Sequence, residues 1–420
     1  MEEEILNRAS KLLAAAFALY GISTLTSMAG MSIGAGLLAI AIFLYAGGPA
    51  GLWKQLRAED QSVVSRVYLG ASAFFALVCV LSLVVAAYHP LEYGGRHSEV
   101  HVLRDSAKLW YLFWPFVLAA FLRVLPEEAR WKALKAWVLA FAAISVIGVI
   151  QYFTGFPRAQ AIPGNAPYYH AVLFFGHHLS TASIWIFPFF AVLDLAANRE
   201  STARIGLPRW FLVVAGVLGA TVLFMTFSRT AWVATPVALL VWVLLRLRWR
   251  AALGVCALIA LGLALTFQVP AVRSRLTNSM GTSERFELWR ANLDFFKERP
   301  ITGAGWRHNQ ELSGYYLMEK QRSEHVFSGH AHNVVLDLLG GTGLLGLWGW
   351  IVWMMAATLP LWFARASGHL PLANGFICAW LAFLINGLTQ VNFWEAKVEH
   401  QLSWVVAWTL VAFSGKRIRG

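Results

Sequence analysis

Charged side chains, cysteines and metal-binding motifs are all scarce in this chain. Asp, Glu, Lys and Arg make up 13% of it, 58% is hydrophobic, and mean hydropathy is +0.58. Those proportions exclude an ordinary soluble domain, in which about a quarter of residues are charged. The three cysteines, Cys79, Cys256 and Cys378, all fall inside apolar runs, which leaves no disulfide framework. The chain carries no Asp-x-Asp, His-Glu-x-x-His or Cys-x-x-Cys, so neither a metal nor a cofactor is expected. Repeats, low-complexity stretches and soluble linkers are missing as well. Acidic residues are the scarcer sign, 22 against 34 basic, for a formal charge of +12. A basic balance can signal nucleic acid, but these basic residues cluster at the ends of apolar runs. Membrane lipids are therefore the expected partner, and nucleic acid is not.

What the chain has in abundance is runs of about twenty apolar residues, each long enough to cross a bilayer as a helix. They cover 12–29, 31–52, 67–88, 107–124, 134–153 and 179–196, then 210–226, 230–246, 251–269, 333–362, 372–394 and 401–414. The expected fold class is an all-α polytopic membrane protein with about 12 transmembrane helices and one long, partly helical periplasmic loop. Residues 1–269 hold nine spans, 270–332 form the loop, and 333–420 hold the last three. An even number of spans puts both termini on one side. The clusters Arg130/Lys132/Lys135, Arg246/Arg248/Arg250 and Lys416/Arg417/Arg419 fall on that side, which makes it cytoplasmic by the positive-inside rule. The segment before the first run carries Glu2 to Glu4, then Arg8 and Lys11, and reads as an uncleaved first span.

The chain is organised around His330-Ala331-His332-Asn333, where the long loop meets an apolar run. Asn333 is a good N-cap, because its side-chain oxygen can accept from a first-turn backbone N–H. A helix starting there points its positive end and unpaired N–H groups at the surroundings of His332. That field disfavours imidazolium, so His332 is expected to be neutral near pH 7 and able to accept a proton. His330 is expected to do less, since two residues of spacing separate the side chains where the chain bends into a helix. Downstream, Gly340, Gly343, Gly346 and Gly349 recur every three residues, a pattern that lets a neighbouring helix approach closely.

Within the loop, 285–298 places Phe286, Trp289, Leu293 and Phe296 on one face, the pattern of an amphipathic helix, with Arg285 off that stripe beside Leu288 and Asn292. Pro300 through Gly305 reads as a tight turn. Shorter outward loops, 89–106 and 154–178, carry further histidines, His177 and His178 among them. Arg229 follows Ser228 at the outer end of two spans joined almost without a loop. An arginine at such a place is costly to keep, and its guanidinium can fork onto phosphate oxygens.

His332, Asn333, nine residues, then Gly343-x-x-Gly346 resembles the histidine signature of the O-antigen ligase/polymerase superfamily. Ser228-Arg229, Arg285 to Trp289 and Pro300 to Gly305 resemble its other motifs, in the same order. The likeness covers about residues 226–346, and the twelve-span layout agrees over the rest. It implies an inverting, metal-independent glycosyl transfer at the periplasmic face of a bacterial inner membrane. The donor would be undecaprenyl-diphosphate-linked O-antigen and the acceptor lipid A–core oligosaccharide. Arg229 and Arg285 would hold the departing diphosphate and His332 would take the acceptor's proton. Asn333, His330, Trp289, Arg290, Gly305, His177 and His178 are expected to contact substrate. A polymerase or a protein O-oligosaccharyltransferase would share this chemistry and differ in acceptor. A lipid-linked glycan transporter fits less well, because transporters commonly show paired repeats and midplane charges.

Overall fold

The computed structural model describes residues 2–60, 62–162, 167–246, 249–268, 273, 282–320, 328–367 and 372–412. Arg248, the Lys416/Arg417/Arg419 cluster and parts of the 270–332 loop lie outside the described residues. Among those described there is no strand, and two isolated bridges are the nearest approach to one. Each apolar run contributes a helix, as it must where no water is present to satisfy the backbone. The helices are α1 (Glu2–Ser23), α2 (Met28–Ala46), α3 (Pro49–Asp60), α4 (Val63–Tyr88), α5 (Val102–Ser106) and α6 (Trp114–Val124). They continue with α7 (Glu127–Thr154), α8 (His178–Ala197), α9 (Arg199–Ile205), α10 (Arg209–Met225), α11 (Arg229–Arg246) and α12 (Trp249–Phe267). The last five are α13 (Thr282–Glu298), α14 (Asn309–Glu319), α15 (Val334–Ser367), α16 (Ala373–Gly387) and α17 (Ala396–Ala412).

Among the described residues, seven helical segments are long and apolar enough to cross a membrane, or eight if the α9–α10 pair, bent by 94°, is one span. The chain is thus a multi-pass helical membrane protein. Helix α16, at 15 residues, is shorter than the run 372–394 it comes from. The run 31–52 divides because Gly47 takes the left-handed conformation that caps α2, and Pro49 then opens α3. Helix α8 is the most enclosed, with Trp185 donating to Ser145 Oγ at 3.2 Å and tilted against Phe141. Ile33, Ile40 and Leu44 of α2 and Val67 and Leu77 of α4 point outward, as a lipid-facing surface requires.

The bundle has two chemically different ends. At one, cations meet helix ends: Arg123 with Glu59 at 3.0 Å, Arg246 Nε with Asp194 at 2.9 Å, and Lys135 with the Gly206 carbonyl at 2.9 Å. At the other, the 89–106 loop is tied to the long loop, the end of the long loop to the α16–α17 turn, and the 154–178 loop to the start of α17. Tyr93 donates to Glu298 and the Gly94 N–H to Glu319, both at 2.6 Å, while Lys397 Nζ reaches the Phe175 carbonyl at 2.6 Å. A small second core of Tyr93, Ala291, Phe295, Ala304, Leu312, Tyr316 and Leu317 holds α13, α14 and the 89–106 loop together.

Two expectations need correction. The glycine series of α15 serves neighbouring helices only in part: Gly349 lies against Phe75 of α4 and Gly340 against Asn292 of α13, but Gly343 does something else. Gly343, at φ 65° and ψ −161°, breaks α15, and the backbone groups so freed pair with the 300–305 loop. Ala304 and Gly305 N–H donate to the Gly340 and Gly341 carbonyls at 2.8 Å, and Leu344 N–H donates to the Pro300 carbonyl at 2.8 Å. Side chains are absent there because backbone meets backbone: a Cβ on Gly343 would lie 2.4 Å from the Ile301 carbonyl carbon. Helix α13 is the second correction. Phe286 and Leu293 of its expected apolar stripe are 48% and 37% exposed, whereas Leu288, Ala291, Asn292 and Phe295 are buried. Asn292 turns inward because its amide is satisfied: Nδ2 donates to the Leu288 carbonyl (2.8 Å) and Oδ1 accepts from Asn309 (2.7 Å). Arg285, which shares that face, is carried inward with it.

Gly343→Ala should therefore destabilise the protein severely, since that region of backbone space is open essentially to glycine alone and costs on the order of 1–3 kcal/mol before the clash is counted. Gly36→Ala, in helix α2 with nothing within 4 Å, is the matched control and should be neutral or mildly stabilising. Thermal unfolding in detergent separates the two, and equal midpoints would show that the break is not required.

Candidate active site

The segment His330–Asn333 is fixed through its backbone. Ala331 is fully buried; its N–H donates to Asp337 Oδ1 at 3.0 Å and its carbonyl accepts the Trp289 indole N–H at 2.7 Å. Asp337 is itself held by Asn309, whose Nδ2 donates to the same oxygen at 3.0 Å. Asn333 caps α15 as expected, Oδ1 accepting from Val335 and Leu336 N–H at 3.0 and 3.1 Å. Those two donors are thereby occupied, so the helix offers its dipole more than free N–H groups. Between these pins His332 adopts φ 48°, a left-handed conformation that turns its ring back on His330. The two rings meet edge to face with centroids 4.2 Å apart, and His332 N–H donates to His330 Nδ1 at 3.2 Å. Contrary to the expectation from spacing, the two histidines form one unit.

Burial is the largest influence on both imidazoles and disfavours the charged form. Arg285 adds repulsion to both, His332 and His177 lower His330, and His177 lowers His332. The result is about 3 for His330 and about 4 for His332, so both are neutral at pH 7. The expected neutrality is present, but burial and Arg285 produce it. His177 is lowered as well, first by burial, against the opposing pull of Glu395.

The turn between α16 and α17 completes the site, and sequence reading missed it. Leu388 O accepts from Asn333 Nδ2 at 3.0 Å, Gln390 Oε1 lies 3.1 Å from His332 Nδ1, and Gln390 Nε2 donates to Glu395 Oε1 at 2.6 Å. Ser180 Oγ donates to the other Glu395 oxygen, and Thr230, the neighbour of Arg229, bonds Thr389. The polar run Thr389, Gln390, Asn392, Glu395 and Lys397 was the available signal, but its first part lay inside an apolar run taken as a continuous span.

His330, His332, Asn333, Trp289, Arg285 and His177 are thus brought together, and Arg229 starts α11 beside the same turn. His178 packs against His177, with centroids 4.9 Å apart, and stacks on His170 at 4.4 Å, while His170 Nδ1 lies 2.8 Å from the Thr226 carbonyl. Arg290 is exposed and bound to Glu287 at 2.7 Å. Gly305 spends its N–H on Gly341, as part of the loop that seals the helix break. Among the described residues no group of three His, Cys, Asp or Glu side chains could hold a metal ion. A separate cavity of about 240 Å³ is lined by Arg104, Lys108, Arg307, Glu99, Asp105 and Glu311, among others.

Residues 214–351 match the family model described as O-antigen ligase. The resemblance to the O-antigen ligase/polymerase superfamily is borne out. The matched ligase-family segment runs from α10 into α15 and contains Arg229, Arg285, Trp289, His330, His332 and the Gly343 break; His177, Gln390 and Glu395 lie outside it. The chain is also similar to the general O-oligosaccharyltransferase of Acinetobacter baylyi (strain ATCC 33305 / BD413 / ADP1). That similarity is 36% identity over 78 residues, 17% of this chain and 13% of the relative's length.

His330 and His332 should stay uncharged from pH 8 down to about 5. Arg285→Gln, by removing a like charge, should move the His332 midpoint upward. A ¹⁵N-histidine NMR titration reads both, and a wild-type midpoint above 6, or no upward movement in the variant, would contradict this electrostatic account.

Proposed function

We propose that this protein is an inverting glycosyltransferase of a bacterial inner membrane, an O-antigen ligase that moves glycan from undecaprenyl diphosphate to lipid A–core oligosaccharide. The observation that carries the reading is the half-buried, neutral His330–His332 pair beside Arg285, inside the segment that matches the ligase family. In the proposed step an acceptor hydroxyl attacks the anomeric carbon, the bond from that carbon to the diphosphate oxygen breaks, and undecaprenyl diphosphate leaves. The hydroxyl proton passes to His332, and Arg229 and Arg285 fork onto the departing diphosphate oxygens. A neutral imidazole suits this role because its lone pair is available at pH 7. His330, Trp289, Asn333 and His177 shape the pocket, and Arg290, His178 and Gly305 would contact the glycan or acceptor from further out.

The twelve-span layout and the division into 1–269, 270–332 and 333–420 belong to the same reading, with cytoplasmic termini and the histidine end in the periplasm. Support comes from the two-ended bundle: cation-rich helix ends gather opposite the histidines. The likeness to a general O-oligosaccharyltransferase favours a second reading, in which the hydroxyl belongs to a protein.

The test is reconstitution with undecaprenyl-diphosphate glycan and, in separate reactions, lipid A–core, carrier-linked glycan or protein as acceptor. Transfer to lipid A–core is expected; transfer only to one of the others replaces the ligase reading with the polymerase or protein-directed one. With the preferred acceptor, His332→Ala should lose about 10²–10⁴-fold in rate. Arg229→Lys and Arg285→Lys should each lose about a hundredfold, since lysine keeps the charge but cannot fork.

A further inference from the structure

Glu395 lies outside the ligase-family match and does not touch His332, yet it decides which way Gln390 faces. A side-chain amide presents an oxygen on one side and an NH2 group on the other. Gln390 is clamped between two neighbours, Glu395 Oε1 at 2.6 Å and His332 Nδ1 at 3.1 Å. A carboxylate offers only lone pairs, so the amide NH2 must face Glu395. The second Glu395 oxygen accepts from Ser180, which anchors the carboxylate on α8. The amide oxygen is then left for His332, and an oxygen can only accept. Turning the amide over would set oxygen against oxygen at 2.6 Å and aim an N–H at the imidazole.

We infer that Glu395 is a positioning residue that, through Gln390, holds His332 in the tautomer protonated on Nδ1 and so leaves the Nε2 lone pair to take the acceptor's proton. The inference rests on the base role given to His332 above and adds the atom that performs it. Interposing an amide has a physical advantage over a direct carboxylate. It fixes the tautomer without setting a negative charge on the imidazole, which would favour imidazolium and fill the lone pair before substrate arrives. His330 is locked in the complementary way: its Nδ1 accepts the His332 backbone N–H, so its own proton sits on Nε2 when it is neutral.

The experiment uses full-length protein with ¹³C,¹⁵N-labelled histidine in nanodiscs, the His332 signal being assigned by its disappearance in His332→Ala. Wild type is expected to show His332 protonated on Nδ1 at pH 7. Glu395→Gln, whose amide can itself donate, releases Gln390 to turn over. It should shift His332 at least partly to the Nε2-protonated form and lower kcat at least about tenfold, with KM for donor and acceptor little changed. Glu395→Asp keeps an acceptor-only group and should retain the wild-type tautomer and recover most of the rate. Wild-type His332 protonated on Nε2, or a Glu395→Gln protein with unchanged tautomer and kcat, would overturn the inference. If Glu395→Gln does not fold, the wild-type tautomer and the Glu395→Asp protein decide the matter. Should the tautomers come out as expected while no glycan is transferred to any acceptor, the proposed function fails and the positioning role stands.

Discussion

A helix that breaks inside an apolar bundle must find partners for the backbone groups it releases, and the break in α15 at Gly343 sets the terms for the site. The 300–305 loop supplies those partners by direct backbone pairing, which is possible only because glycine stands at 303 and 343, where a Cβ would meet the backbone of the other segment. An unsatisfied amide in hydrocarbon costs several kcal/mol, so the pairing is effectively obligatory. Once made, it docks α13 and α14 against the first turns of α15. That docking carries Trp289 to the Ala331 carbonyl, Asn309 to Asp337 and Arg285 to the histidines. The motifs 285–289, 300–305 and 332–346 therefore form one mechanical unit.

The electrostatics follow from that unit. Burial alone lowers both imidazoles, and Arg285 adds a like charge beside them. A cation next to a base looks unfavourable until a diphosphate is considered. A dianionic leaving group would neutralise the arginines, and the proton would then move to His332 in a site already balanced in charge. Left-handed backbone at His332 is costly for a side chain with a Cβ, and it persists because four hydrogen bonds at Ala331 and Asn333 over-determine it.

Much of this was legible in the sequence. The Asn333 cap, the neutral His332 and the membership of Arg285 in a face with Leu288 and Asn292 were all readable from residue type and spacing. Other features were hidden for identifiable reasons. Asn292 counts as polar, which sets its face off the apolar stripe, although its amide is satisfied within the protein. The glycine period looked like a helix–helix contact because sequence does not reveal a backbone break. Gln390 fell inside an apolar run that ends as a helix at Gly387, and nothing in its spacing links it to His332 some sixty positions earlier. Pairing of His330 with His332 depends on one positive φ angle, which no pattern announces.

The central claim is that a neutral, half-buried His332 takes the acceptor's proton. A pH profile of single-turnover glycan transfer by the reconstituted protein tests it most directly. Because the imidazole is held down to about 4, the rate should be level from pH 8 to about 5 and fall with a one-proton slope below that, as protonation fills the lone pair. The residual rate of His332→Ala should lack this inflection. A rate that rises as pH falls, or an inflection near 6.5 in wild type that survives in His332→Ala, would contradict the account.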